Sequence, residues 1–111
     1  MGFSNSIQLI GNLGDSPEIK ELESGKKVLN FSIATNEVRK DTDGTKITTT
    51  HWHRIVAWGN IAETISKHVK KGEKVGLRGV LGYENWENKD GVKMITAQIT
   101  VTELLLMNNR K

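Results

Sequence analysis

The chain has 111 residues, the length of one ordinary domain, and we expect residues 1–111 to fold as a single domain. Hydrophobic residues make up 36% of it, and no apolar run approaches the roughly 20 residues that cross a bilayer, which excludes a transmembrane helix. Because the chain has no cysteine, disulfides, thiolate catalysis and cysteine-bound zinc are excluded as well. The net charge is +3, and residues 37–71 hold the excess, with seven Lys or Arg against four Asp or Glu. A polyanionic partner is therefore expected to dock near the middle of the chain.

Strands dominate the prediction because the main hydrophobic period is two. Residues 29–34 and 95–102 alternate between apolar side chains and polar or small ones, and they are rich in Ile, Val and Thr. Turn sequences with glycine separate the predicted strands at Ser24-Gly25, at 41–44 and at 88–91. The pattern indicates three strands in the first half of the chain and two in the last part.

One segment between these groups follows a helical pattern instead. Asn60 and Glu63 have the spacing of a capping box, and Ile61 begins a series of apolar residues at helical spacing. Lysines up to Lys71 suit a helix C-terminus, and Gly72 can end the helix in a left-handed conformation. These signals predict a helix over about residues 60–71.

The order of elements indicates an all-β fold. Five strands with one α-helix between strands 3 and 4 is the order of the OB-fold, a small barrel that often binds oligonucleotides or oligosaccharides. Curling into a barrel also removes the exposed edges that a short open sheet would leave. We therefore expect a five-stranded OB-fold barrel.

No catalytic or metal-binding constellation is evident. His51 and His53 point to the same side of a predicted strand, but no cysteine and no third ligand accompany them, so structural or interface histidines are the favoured interpretation. The carboxylates are scattered, and none lies in an apolar stretch that would raise its pKa for acid–base catalysis. We expect no metal, no cofactor and no enzymatic activity.

Tryptophan is the informative residue type. On a strand, Trp52, Arg54 and Trp58 share one side, and a flat indole can stack on a nucleobase while Arg54 contacts a phosphate. The alternative is that both tryptophans belong to the core and that Arg54 is a solvated charge. The opposite side, with residues such as His51 and His53, is not cleanly apolar, so alternation alone leaves both interpretations open.

Further candidates lie in polar surroundings. Trp86 is predicted at the entry of a polar loop, exposed to a ligand or else covering one end of the barrel. Five basic residues either line a groove that follows a phosphate backbone or only solubilise the surface; they are Arg39, Lys40, Lys46, Lys70 and Lys71.

These residues, in their order and spacing, resemble the bacterial single-stranded DNA-binding protein family over about residues 5–106. The matching segments are Ile10-Gly11-Asn12-Leu13-Gly14, Pro17-Glu18, Asn30-Phe31-Ser32-Ile33-Ala34-Thr35, Trp52-His53-Arg54, Trp58-Gly59, Ala62-Glu63, Lys71-Gly72, Arg78-Gly79 and Trp86.

The resemblance implies a cytoplasmic, nucleoid-associated bacterial protein that binds and protects single-stranded DNA during replication, recombination and repair. It implies an OB-fold that assembles as a homo-oligomer, usually a dimer of dimers. By position, Trp52, Trp58 and Trp86 match stacking aromatics, Arg54 and Lys71 match basic positions on the DNA path, and His53 matches a subunit interface.

Two departures from the family limit these expectations. Arg39 stands where many members carry another stacking Trp, which implies weaker stacking there. The sequence stops at Lys111 without the acidic C-terminal tip of the family, so recruitment of replication proteins through such a tail is not expected for this chain. The alternative function is an OB-fold module that binds another protein, such as a primosome component.

Overall fold

The computed structural model describes residues 4–14 and 17–107. This part of the chain forms six β-strands and one α-helix. In chain order they are β1 Ile7–Leu13, β2 Ile19–Glu21, β3 Lys27–Lys40, β4 Lys46–Trp58, α1 Gly59–His68, β5 Lys74–Glu87 and β6 Lys93–Leu106.

Five of these strands close into a barrel. β1 pairs with both β3 and β5, β5 pairs with β6, and β4 pairs with β3 and, in parallel, with β6. The order β1-β5-β6-β4-β3 thus returns to β1, and α1 lies between the third and fourth barrel strands, β4 and β5. The predicted OB-fold barrel is confirmed. The three-residue β2 is an additional strand, which pairs with β3 outside the barrel.

The barrel core comes from one side of the alternating strands. On β3 and β4, the core residues Leu29, Ile33 and Ala57 have no exposed surface, and Ile55 is 2% exposed. The register pairs Leu29 with Ala57, so directly opposed residues enter the same core. Helix α1 adds Ala62 and Ile65 to this apolar cluster.

The helix differs from the sequence prediction at both ends. It ends at His68, three residues before the predicted end, and Val69 already has an extended backbone with its side chain in the core. The helix begins at Gly59, so its N-cap residue is Trp58, whose indole cannot accept a backbone N–H, and the predicted cap Asn60 lies inside the first turn. Glu63 forms an ion pair with Lys27 on β3. Among the described residues, no helix has the length and apolar character to cross a membrane.

Two long hairpins extend beyond the barrel. β3 and β4 pair out to Lys40 and Lys46, and β5 and β6 pair out to Glu87 and Lys93. In both turns the backbone N–H of the first residue, Asp41 or Asn88, donates to the carbonyl four residues later. A glycine with positive φ completes each turn, as the turn sequences predict: Gly44 at +88° and Gly91 at +80°.

Candidate nucleic-acid interface

One side of the β3–β4 pair carries two tryptophans. The register places Trp52 opposite Ala34, Arg54 opposite Ser32 and Trp58 opposite Val28, and opposed residues of an antiparallel pair point to the same side. We call this side the Trp52–Trp58 face. Its members are Trp52, Arg54, Val56 and Trp58 on β4 and Val28, Asn30, Ser32 and Ala34 on β3.

Both tryptophans lie outside the core. Trp52 is 63% exposed and Trp58 is 44% exposed, whereas the alternating side, with Ile33 and Ile55, is buried in the barrel. Alternation could not decide whether Trp52 and Trp58 belong to the core. Closure of the barrel decides it, because the opposite side of β4 faces the core. Exposing an indole to water is unfavourable unless a ligand or partner covers it, so these two side chains are candidates for contact with a flat ring.

Trp52 and Arg54 line a hollow where β4 and β6 diverge. The hollow has a volume of about 390 Å³, and β6 contributes Thr96 and Gln98 to its wall. The Arg54 guanidinium is largely exposed and lies 3.9 Å from the Glu84 carboxylate on β5. This site therefore combines an aromatic ring, an accessible cation and hydrogen-bonding side chains.

Trp86 is the second-last residue of β5, directly before the polar turn at 88–91. It is opposite Met94 of β6, is 43% exposed, and its indole N–H donates a 2.8 Å hydrogen bond to the hydroxyl of Thr96. Because Thr96 also lines the Trp52 hollow, Trp86 belongs to the same region as Trp52 and Arg54. The polar sequence around Trp86 reflects a solvated two-stranded hairpin, which extends from the barrel with both faces wet.

Trp58 lines a second hollow, near the start of α1. Its wall also contains Lys26, Lys27, Asn60 and Glu63, and its volume is about 440 Å³. Lys27 is neutralised by Glu63, but Lys26 makes no ion pair with the described residues. The hollow therefore offers one indole beside one uncompensated ammonium group.

Two lysines near Trp58 were not predicted from the sequence as candidate site residues. Lys26 follows the Ser24-Gly25 turn, and Lys20 of β2 lies opposite Val28, which in turn lies opposite Trp58. Lys20 thus extends the Trp52–Trp58 face across a third strand. The basic pair after the turn was a usable signal for Lys26, but Lys20 required the strand register.

The other basic candidates occupy separate places. Lys40 and Lys46 face each other at the end of the β3–β4 hairpin, in register with the Trp52–Trp58 face. Arg39 pairs with Ile47 and alternates with Lys40, so it points to the other side of this hairpin.

Lys70 and Lys71 lie in the turn after α1. This turn is attached to the end of β1, because Gly72 N–H donates a 2.8 Å hydrogen bond to the Leu13 carbonyl. Both lysines are exposed. They stand outside the helix, contrary to the prediction that they belong to its last turn, since the core contact of Val69 draws the chain into an extended conformation.

His53 is partly buried on the side opposite Trp52. Its Nε2 lies 2.9 Å from the Thr35 hydroxyl, and burial, followed by the charge of neighbouring His51, lowers the pKa of His53. His51 itself pairs with Glu37 across the hairpin. Within residues 4–14 and 17–107, no three His, Cys, Asp or Glu side chains come together as metal ligands.

These features define an OB-fold protein with an aromatic and basic outer face. The model of the single-strand binding protein family matches residues 4–107. The chain belongs to the single-strand binding protein family.

Relatives named as single-stranded DNA-binding proteins are similar in sequence over nearly the whole chain. "Single-stranded DNA-binding protein 1" of Chlorobaculum tepidum is 42% identical over 93% of this chain and 64% of its own length. "Single-stranded DNA-binding protein 1" of Xylella fastidiosa is 37% identical over 100% of this chain and 82% of its own length. The chain thus spans less than two thirds of the Chlorobaculum relative.

A solved structure has the same architecture. The structure described as "Plasmodium falciparum SSB complex with ssDNA" superimposes with a TM-score of 0.86 at 34% identity, covering 97% of this chain and 98% of that one. That structure was solved with single-stranded DNA. Because nearly the whole of each chain is superimposed, the similarity includes both the barrel and the two hairpins.

Proposed function

We propose that this protein binds single-stranded DNA with little sequence preference and protects it during replication, recombination and repair. The observation that carries the proposal is the Trp52–Trp58 face, which exposes two indoles on either side of an accessible arginine. In duplex DNA the bases are stacked on each other, so only a single strand can offer unstacked bases to these rings. Family membership and the neighbour solved with ssDNA support the same conclusion.

In this proposal the tryptophans contact the bases and the basic residues contact the phosphates. Trp52, Trp58 and Trp86 stack on bases, and each stack contributes about 1–3 kcal/mol with little dependence on base identity. Arg54 contacts phosphates between the two indoles of the face. The remaining basic side chains contact the phosphate backbone of the DNA on either side of Arg54. In this role we include Lys70, Lys71, Lys40, Lys46 and, as a phosphate contact from the other side of the hairpin, Arg39.

The small side chains of β3 suit this arrangement. Asn30, Ser32 and Ala34 lie across from the β4 residues of the face, and none of them projects far enough to keep a nucleotide away. The exposed Asn30 amide can donate to phosphate or sugar oxygens without reading base edges. The face is therefore suited to a ligand of any sequence.

A titration of intrinsic tryptophan fluorescence with oligo(dT) tests the proposal. We expect strong quenching by single strands, little by duplex DNA of the same length, and an affinity that falls as salt rises. The titration also gives the number of nucleotides bound per chain. Absence of quenching at low salt would overturn the proposal and favour the alternative, an OB-fold module whose partner is another protein.

We further propose that the protein is a non-enzymatic binding protein that acts on the bacterial nucleoid. Family membership supports this, because the family is named for binding rather than for a reaction. The test is incubation with single-stranded DNA and with nucleoside triphosphates: we expect both to be recovered unchanged, and turnover of either would contradict the proposal.

We also propose that copies of the chain assemble, as a dimer of dimers. Ile10 of β1 and Leu105 of β6 are 49% and 59% exposed, and both lie opposite Gly76 of β5. The hollow over this outer sheet has a volume of about 510 Å³ and a mainly aliphatic lining. Water contact with such a surface is unfavourable, so a second copy is the proposed occupant.

Light scattering of two charge-introducing variants tests assembly. Leu105→Glu would place a charge in the outer hollow, and His53→Glu would place one at the other proposed interface, so we expect each to lower the mass. Ile95→Glu is the matched control, since Ile95 is 70% exposed on the β5–β6 hairpin. An unchanged mass in both variants would contradict the two assigned interfaces.

A further inference from the structure

Trp52 lies against Gly14, a residue that is distant from it in the sequence. Gly14 follows the end of β1, and its backbone N–H donates a 2.8 Å hydrogen bond to the Ser32 carbonyl, which holds it beside β3. The position that a Cβ of residue 14 would occupy lies 2.4 Å from Cζ3 of Trp52 and 2.6 Å from the Ser32 hydroxyl. Non-bonded heavy atoms do not approach so closely, so the six-membered ring of the indole fills the space that a side chain would need.

The crowding at Gly14 differs from that at the other tightly packed glycines. At Gly11 and Gly79 the nearest atoms to a built Cβ are backbone carbonyl oxygens of the neighbouring strands, at 2.4 and 2.3 Å. A methyl group there would push barrel strands apart. At Gly14 the two nearest atoms belong to side chains that can rotate, and Trp52 is largely exposed, so a methyl group would displace the indole instead.

We propose that Gly14 is a positioning residue for the Trp52 indole. Its lack of a side chain allows the ring to lie against the backbone at the end of β1, which restricts the rotamers open to Trp52 before any ligand arrives. A ring that is already ordered loses less conformational entropy when a base stacks on it, and this increases affinity. The consequence for DNA rests on the proposed function, whereas the position of the ring is a property of the free protein.

The free protein provides the first test. In a Trp58→Phe/Trp86→Phe background Trp52 is the sole tryptophan and can be excited selectively over Tyr83. Gly14→Ala in that background should increase acrylamide quenching and lower fluorescence anisotropy of the tryptophan. Gly82→Ala is the matched control, because a Cβ at Gly82 meets no atom within 4 Å and the residue is not among the positive-φ glycines. Unchanged quenching and anisotropy in the Gly14→Ala variant would overturn the proposal.

A double-mutant cycle provides the second test, with oligo(dT) as the probe. Gly14→Ala in the otherwise unchanged chain should weaken binding about tenfold, which corresponds to losing one stacking contact. In a Trp52→Ala background it should have no further effect on affinity, because the ring that the methyl group displaces is then absent. Equal losses in both backgrounds would contradict the proposal. If the unchanged chain does not bind oligo(dT), the proposed function fails, while the fluorescence test still decides the position of the ring.

Discussion

Arg54 of β4 and Glu84 of β5 bring opposite charges together at the Trp52 hollow, with 3.9 Å between the guanidinium and the carboxylate. Both side chains are more than half exposed, so the ion pair contributes little to stability. Its effect on a ligand is larger, because Glu84 competes with a phosphate for Arg54 and repels the phosphate directly. On the proposed function, we therefore expect Glu84 to lower the affinity of this site for DNA.

Glu84→Gln is expected to strengthen binding to single-stranded DNA. Removal of one negative charge at this separation corresponds to about a twofold to fivefold gain at low salt, and the gain should shrink as salt screens the charge. Oligo(dT) titrations at several salt concentrations measure it. Glu87→Gln is the matched control, since Glu87 lies opposite Lys93 at the end of the same hairpin, on the side of β5 that alternates with Glu84. The same gain in both variants would show a general charge effect and contradict a role for Glu84.

Replacing both tryptophans of the Trp52–Trp58 face with alanine is expected to abolish most of the affinity. The loss of two stacking contacts corresponds to about 2–6 kcal/mol, and the fold should persist because both side chains lie outside the core. Circular dichroism establishes folding, and fluorescence anisotropy of labelled oligo(dT) measures binding. Tyr83→Ala serves as control, because Tyr83 is 65% exposed on the side of β5 that alternates with Glu84 and Trp86. Unchanged binding by the folded double variant would exclude the stacking role.

Periodicity predicted which side chains share one side of a strand and where the turns lie. It placed Trp52, Arg54 and Trp58 on one side of β4 and identified the glycine turns, because alternation and turn chemistry are properties of a few adjacent residues. The strand order, with a helix before β5, was sufficient to predict the barrel. The choice between a buried and an exposed tryptophan was not predictable, since it depends on which side of the hairpin faces the closed barrel.

Long-range contacts account for what the sequence did not predict. The helix ends early because Val69 enters the barrel core, and Trp86 joins the Trp52 region only through Thr96 on the neighbouring strand. The contact between Gly14 and Trp52 joins the residue after β1 to a residue of β4, and no local pattern signals it. Such contacts follow from register and closure, which depend on the whole barrel.

Lys26 is expected to contribute one phosphate contact beside Trp58. For single strands each such contact adds about 0.7 to the slope of log affinity against log salt, so Lys26→Ala should lower the slope by about that amount. Binding should weaken equally for oligonucleotides of different sequence, because a phosphate contact carries no sequence information. Lys93→Ala is the control, since Lys93 stands opposite Glu87 at the end of the other hairpin. A slope that stays unchanged in the Lys26 variant would place this lysine outside the DNA path.

His53 is expected to make stability depend on pH. Burial, and then the charge of His51, lower the pKa of His53 below its ordinary value of 6.5, so the unfolded chain binds the proton more tightly than the folded one. The stabilising contribution of the neutral ring is complete above about pH 6.5 and is lost as the pH falls through the folded-state pKa.

His53→Gln retains a hydrogen-bonding partner for the Thr35 hydroxyl without titrating, so the loss of stability between neutral and mildly acid pH should be smaller in this variant. Urea unfolding at fixed protein concentration measures the difference, with His68→Gln on α1 as the control. An identical pH dependence in wild type and His53→Gln would assign the effect to other groups.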